Sequence, residues 1–323
     1  NDLVIEKDQR YNTSLYFSVQ MHSGWGRATD EHPVEILGDL TINRGELDVD
    51  EWEVDLKGNI VIDDGNIIST HNTPGRIVVN GSTRQTLEGS YSGEQSFGHL
   101  ELDNANGAQL LSDIDVTDFT LTNGIMDLDI YNLDVDGSVI DGSGTGFDDQ
   151  LMFRTAGNAS DGSLTLPVDL ADGTSGDTYL FPFGTNDDYT PAVITQEAAV
   201  ADSGKYTIKP VSSYHPATTD ESRTIPYYWK VETEGYSTLS TNDASYTFTA
   251  PSDLNIPNNM NKGAQLWYGD DSWHTFNNVL IGYDLAFPSS AYLTGEYTLG
   301  NQSVFNDLTV YYSRGSQGFK NWS

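Results

Sequence analysis

Apolar and polar residues alternate in short runs through the first half of the chain, each about four to six residues long and closed by Gly, Asn or Asp. In Asp118–Gly137, Phe119 and Leu121 alternate with polar neighbours, and Asn123-Gly124 supplies a turn. Met126, Leu128 and Ile130 then alternate with Asp127 and Asp129. The parity shifts at Tyr131-Asn132, after which Leu133 and Val135 face one way and Asp134 and Asp136 the other. This pattern predicts strand, turn, strand, corner, strand.

The same pattern occurs earlier. Asp39–Gly58 aligns with Asp118–Gly137 at an offset of 79, with seven identities: Asp39/Asp118, Thr41/Thr120, Gly45/Gly124, Asp48/Asp127, Asp50/Asp129, Asp55/Asp134 and Gly58/Gly137. Leu47/Met126, Trp52/Tyr131, Val54/Leu133 and Leu56/Val135 exchange like for like. Strands this short cannot bury an apolar face alone, but stacked coils can, with inward Val, Ile and Leu forming ladders. Residues 34–154 are therefore expected to form a short parallel β-solenoid. Antiparallel hairpins in a sandwich are the competing arrangement, since alternation alone does not separate the two pairings.

Beyond Arg154 the pattern changes. Thr155–Ser163 reads as a linker or long loop, and nine of the eleven prolines fall in Pro167–Pro288. Longer, more aromatic strands are expected at Leu164–Val168, Thr178–Pro182, Ala192–Thr195, Gly204–Pro210, Ile225–Glu232, Ala244–Thr249, Ala264–Tyr268 and Glu296–Leu299. They predict an antiparallel β-sandwich-like domain over residues 155–303. Residues 1–33 read as an N-terminal strand and connecting segment. Residues 304–323 read as a C-terminal strand or the start of a further unit.

The ends echo one another: Asn1-Asp2-Leu3-Val4-Ile5 against Asn306-Asp307-Leu308-Thr309-Val310, and Leu15–Ser18 against Val310–Ser313. Asn1, Leu3, Ile5, Leu308, Val310 and Tyr312 are thus candidate assembly residues, with a second copy or a tandem neighbour as partner.

Composition agrees with an all-β chain. Of 48 acidic residues 34 are Asp and 14 Glu, and Asp favours turns and caps where Glu favours helices. Against them stand 15 Lys and Arg, a formal charge of −33, with −21 in residues 1–154 and −12 in residues 155–323. Nucleic acid and anionic membrane surfaces demand a basic footprint, so neither is an expected partner. There is no cysteine, which removes disulfides and thiol or Cys-zinc chemistry. No signal peptide stands at Asn1 and no apolar run spans a bilayer, so the chain is either cytoplasmic or begins after processing. Acidity, Asp/Gly/Ser/Thr richness and missing cysteine favour a bacterial exterior.

The stretch GRIVVNGSTRQTLEGSYSGEQSFGHLELDNANGAQLLSDIDVTDFTLTNGIMDLDIYNLDVDG, Gly75–Gly137, resembles repeats of very large surface proteins of Bacteroidetes. So do Phe181–Thr190 (FPFGTNDDYT), His215-Pro216, Tyr228–Val231 and Tyr311-Tyr312-Ser313-Arg314 with Trp322. The resemblance implies an exported protein, often one using type IX secretion, of the adhesin, gliding-motility or surface-layer kind. It carries no catalytic residues, and a recognisable C-terminal sorting domain is missing. The expected function is an extracellular structural or adhesive repeat unit, not an enzyme, with a carbohydrate-binding or carbohydrate-active module as the alternative.

Three candidate chemistries remain. Asn132, Asp134, Asp136 and Gly137 match the first half of an EF-hand loop, though Ser143 replaces the bidentate Glu and the surroundings read as strand. No cofactor is required, and calcium is the ion this many carboxylates would accept. Trp267, Tyr268 and Trp273, or Tyr227, Tyr228 and Trp229, are candidate platforms for stacking surface glycans, although alternation sends part of each set into the core. For a serine triad, none of the six histidines accompanies a Gly-x-Ser-x-Gly elbow.

Overall fold

A computed structural model describes residues 3–5, 34–49, 51–69, 74–89, 97–169, 177–186, 188–197, 203–218, 220–236, 244–254, 256, 260, 262–269, 271–277, 279–291 and 294–305. The architecture is nearly all β, and its first half is a β-solenoid of about five turns. One side is a six-stranded parallel sheet of Val34–Ile36, Glu53–Leu56, Arg76–Val79, His99–Asp103, Asp118–Asn123 and Val139–Asp141. The second side is a nine-stranded sheet that begins with Leu3–Ile5, Leu40–Ile42 and Ile60–Ile62 and runs on through Phe153–Thr155 to Phe183–Thr185 and Asp188–Tyr189. The third side holds Gly45–Asp48 on Gly65–Ile68, then Ile114–Val116, Leu133–Val135 and Leu164–Asp169.

Apart from the closing antiparallel pair of Phe183–Thr185 with Asp188–Tyr189, every pairing among these strands is parallel, which decides between the two arrangements that alternation left open. The inward residues stack into ladders. Ile36, Leu56, Val79, Leu102 and Leu121 line one, and Leu40, Ile60, Leu87 and Leu110 another, all buried. Each such side chain removed from water contributes about 1.5–3 kcal/mol.

The repeat at offset 79 proves to be local. Its corners are reproduced: the Trp52 N–H donates to the Val49 carbonyl (2.8 Å) and the Tyr131 N–H to the Leu128 carbonyl (2.9 Å). Yet Leu40 and Ile42 lie on the nine-stranded sheet, while their counterparts Phe119 and Leu121 lie on the six-stranded one. Likewise Val54 belongs to the six-stranded sheet and its counterpart Leu133 to the third side. The unit is kept, but rotated by one side of the coil. The first spatial period is shorter, at 20 residues: Val34 stacks on Val54, Leu40 on Ile60 and Gly45 on Gly65.

Short polar side chains tie the corners of successive coils. Asp39 Oδ1 accepts the Asn59 backbone N–H (2.7 Å), and Asn59 Oδ1 in turn accepts that of Thr86 (2.9 Å). Asp113 does the same for Asn132 (2.7 Å), and Asn132 for Ser163 (3.1 Å). Asp118 serves Ser138 at 2.7 Å. A backbone donor at a corner lacks a ladder partner, and these side chains supply one.

The sheets do not break at Arg154. Thr155 ends a solenoid strand, and of the two readings of the following segment, linker or long loop, it is a loop that connects two sides of one coil. Leu164–Asp169 is the turning point, parallel to Leu133–Val135 on one edge and antiparallel to Ser203–Val211 on the other. From there the eight-stranded sheet continues through Tyr228–Glu234, Gly295–Gly300, Lys262–Trp267 and Ser272–Asn277. A five-stranded antiparallel sheet of Thr178–Phe181, Ala192–Gln196, Ala244–Thr249, Asp284–Phe287 and Leu280–Ile281 meets its inner face. There Trp229 lies 5.1 Å from Phe248, and Tyr297 lies 5.0 Å from both Phe248 and Phe287. One cluster of buried residues runs from Ile36 to Leu299.

The corner ladder gives a direct test. Asp39→Ala should cost about 1–3 kcal/mol in denaturant unfolding, because the Asn59 N–H loses its acceptor. Asp39→Asn keeps an oxygen in place and should recover most of that loss.

Candidate binding site on the outer face of the eight-stranded sheet

Where the parallel strands give way to antiparallel ones, the outward side chains of five strands form two polar rows. Cross-strand pairing aligns Asp115, Asp134, Thr165, Thr207 and Glu232 in the first. Two residues away on each strand or its preceding corner lie Asp113, Asn132, Ser163, Lys209 and Lys230. A cavity of about 390 Å³ opens over both rows, lined also by Ile114, Ala159 and Glu234. Strands alternate their side chains between faces, so the residues that supply the core supply this surface at every second position.

The electrostatics are uneven. Burial, then the charges of Asp134 and Asp136, push the Asp115 carboxyl up to about 6. Burial also raises Asp134, although Lys205 bonds to it. Lys205 reaches from the antiparallel region to Asp134 Oδ1 (2.7 Å) and Asp136 Oδ1 (2.8 Å). Burial works against its ammonium, but those two hydrogen bonds and charges outweigh it and hold the proton more tightly than usual. Lys209 is lowered by burial and by neighbouring Lys230, and it donates to the carbonyls of Ala159 and Asp161.

Further along the same face, Glu296 accepts from His215 Nε2 and from the Tyr268 hydroxyl (3.1 Å), and pairs with Lys230 (3.1 Å). The Ala217 N–H donates to His215 Nδ1 at 3.1 Å, so the imidazole proton sits on Nε2. Burial alone would raise Glu296, but the hydrogen bond from His215 and the charge of Lys230 reverse the sign and bring it to about 2.

The EF-hand match falls on a strand. Leu133–Val135 is paired on both edges, Asn132 is a rung of the corner ladder, and Asp134 and Asp136 clamp Lys205. Their alternate spacing follows from the strand's pleat rather than from a loop wrapped around an ion. Among the described residues no group of three or more His, Cys, Asp or Glu is placed to hold a metal.

The aromatic platform is also divided. In the hairpin, Leu266 faces Trp273 and Trp267 faces Ser272, so Trp267 and Trp273 occupy opposite faces of the sheet. Trp273 packs on His215 (4.8 Å) and Phe305 (5.0 Å), and the Tyr268 hydroxyl is held by Glu296. Tyr227, Tyr228 and Trp229 are all buried. No flat stacking surface is formed by either set.

Of the candidate assembly residues, Leu3 and Ile5 lie in the strand that stacks on Leu40–Ile42. Asn1, Leu308, Val310 and Tyr312 lie outside the described residues. The histidines form no triad among the described residues: His99 pairs with Asp118 (2.9 Å), His215 with Glu296, and His274 with Ser272 two positions away (3.2 Å).

All five basic residues of 34–154 sit against carboxylates of the coils. Arg76 bridges Glu53 and Glu101, Arg84 and Arg154 share Asp127, Arg44 reaches Asp64, and Lys57 reaches Glu35. No helix among the described residues is long and apolar enough to cross a membrane. No protein-family model, no curated protein and no solved structure matches this chain.

Asp115 and Glu296 make opposite contributions with pH. Asp115 carries a folded pKa above its ordinary 3.8, so its share of stability is present below about pH 3.8 and lost as pH rises through about 6. Glu296 lies below its ordinary 4.5, so its share is present above that value and lost as pH falls toward 2. Asp115→Asn should therefore abolish a loss of about 1–2 kcal/mol between pH 4 and 7, a figure already reduced for partial exposure. Unfolding curves of both proteins across that range check it.

Proposed function

We propose that this chain is an extracellular structural or adhesive unit of a bacterial surface, arranged in tandem or joined head to tail into a fibre. In this reading residues 155–303 form an antiparallel β-sandwich set on the end of the solenoid. The aromatic contacts between the five- and eight-stranded sheets support that architecture. The continuous core supports a mechanical role, since load applied to the solenoid passes into the second half through shared sheets rather than a linker. The resemblance of Gly75–Gly137 to Bacteroidetes surface repeats supports the location.

One observation carries the assembly. Leu3–Ile5 adds to the nine-stranded sheet in parallel, with Leu3 opposite Leu40 and Ile5 opposite Ile42, while Asn306–Val310 repeats its sequence pattern. A strand of that pattern from a neighbour would meet the same kind of edge by β-augmentation. The acidic surface disfavours sideways association and leaves the ends as the route for growth.

Mass photometry over a concentration series, with electron microscopy of the same samples, tests this reading. End-to-end particles with one chain per axial repeat are expected, and Leu308→Asp or Val310→Asp should weaken association about tenfold or more. A chain that stays monomeric throughout, and forms no fibre in native surface material, overturns it.

A second reading, carbohydrate binding, is favoured by the polar cavity at the junction of the parallel and antiparallel strands.

A further inference from the structure

We propose that this cavity, and not the hairpin tryptophans, is a binding site for a neutral oligosaccharide, recognised through adjacent hydroxyl groups. The inference rests on the carbohydrate-binding reading and is independent of end-to-end assembly. Its volume of about 390 Å³ lies in the range of small-molecule sites, roughly 300–1,000 Å³.

The lining selects the ligand by what it leaves unused. Asp115 and Glu232 offer carboxylate oxygens toward the cavity. At the Glu232 end, Lys209 spends donors on two carbonyls and Lys230 on Glu296, and each ammonium has three to give. Between them the Thr165 and Thr207 hydroxyls bond to each other at 2.8 Å, an arrangement that uses one of their two protons. Acceptors thus stand at both ends, Asp115 at one and Glu232 at the other beside the two lysine donors, with a hydroxyl in the middle.

An anion would face the carboxylates of Asp113, Asp115, Asp134, Glu232 and Glu234, and a cation would face the ammonium groups of Lys209 and Lys230. A metal ion has no group of three suitable ligands among the described residues. A sugar hydroxyl donates and accepts at once, so neighbouring hydroxyls can give to Glu232 while taking from Lys209 or Lys230, and a further ring along the strip can give to Asp115. Hydrogen bonds to charged groups are the stronger kind, which suits a neutral ligand that brings no charge of its own. The row from Asp115 to Glu232 crosses five strands, a strip about 19 Å long at the usual strand spacing. That length accommodates several sugar rings in an extended chain.

The test is isothermal titration of the whole chain with four sets of oligosaccharides: neutral, N-acetylated, amino and uronic-acid. Two variants accompany it. Asp115→Asn keeps the shape and removes the charged acceptor, and Thr207→Tyr fills the middle of the strip. Circular dichroism melts establish that each is folded. Saturable binding of a neutral sugar, weakened about tenfold or more by both variants, is expected. Absence of binding in all four sets, binding untouched by both variants, or binding confined to amino or uronic sugars each overturns the proposal. Mass photometry on the same samples separates this result from assembly, because a fibre can fail to form while the sugar still binds.

Discussion

A coil whose sides are three or four residues long spends much of its backbone in corners, and corner N–H groups have no strand partner. The carboxylate and amide ladders from Asp39 to Asn59 to Thr86, and from Asp113 to Asn132 to Ser163, answer that constraint. The side chain must be short enough to reach the next coil's backbone without leaving the corner, which suits Asp and Asn and not Glu or Gln. This accounts for part of the preference for Asp over Glu in the chain. It also explains how coils carrying so much negative charge stack: several of the carboxylates are bonded to backbone donors, and others to the five basic residues of the solenoid. Inside, Gln85 performs a related task. Its amide nitrogen donates to the carbonyls of Leu56 and Gly58, and its oxygen accepts from Gly81 and Asn104, so a fully buried polar group is satisfied across three coils.

Much of this architecture was legible in the residues. Alternation located the strands, and the internal repeat pointed to a solenoid. Two features were not. The 20-residue spatial period stands in the sequence as Gly38-Asp39-Leu40-Thr41-Ile42 over Gly58-Asn59-Ile60-Val61-Ile62, but the stronger match at offset 79 overshadowed it. That match reports corners, because Gly45/Gly124, Trp52/Tyr131 and Gly58/Gly137 are corner positions. Corners are chemically demanding, and sides are interchangeable when each needs only alternating apolar residues. A unit can therefore keep its corners while moving around the coil by one side. At Gly162 the demand is evident: a Cβ there would lie 1.6 Å from the Tyr131 carbonyl oxygen, so the coil can pass this corner only without a side chain.

The candidate site was far less legible. Asp134 and Asp136 read as metal ligands because their spacing is that of a calcium loop, and the pleat of a strand produces the same spacing. In the fold both carboxylates bond Lys205, some seventy residues away, and only the antiparallel pairing of Leu164–Asp169 with Ser203–Val211 brings it there. The Trp267–Trp273 hairpin shows the same limit of local pattern. Six residues apart in sequence suggests a shared surface, but the two strands turn back on each other. The register of Leu266 with Trp273 then puts the two indoles on opposite faces.

The two ends of the solenoid are physically different, which gives any assembly a direction. At the later end, the third side passes into antiparallel pairing at Leu164–Asp169, and the nine-stranded sheet ends in the antiparallel pair Phe183–Thr185 with Asp188–Tyr189. A further parallel coil has no free edge to add to on those sides. At the earlier end Leu40–Ile42 accepts Leu3–Ile5 in parallel and in register, as each internal coil accepts its neighbour. A parallel edge recruits strands through the same backbone hydrogen bonds that hold the coils together. This one is three residues long and is taken by Leu3–Ile5, so a strand that replaced it would need the same apolar spacing. A segment of the chain's own pattern, Asn306–Val310, has that spacing.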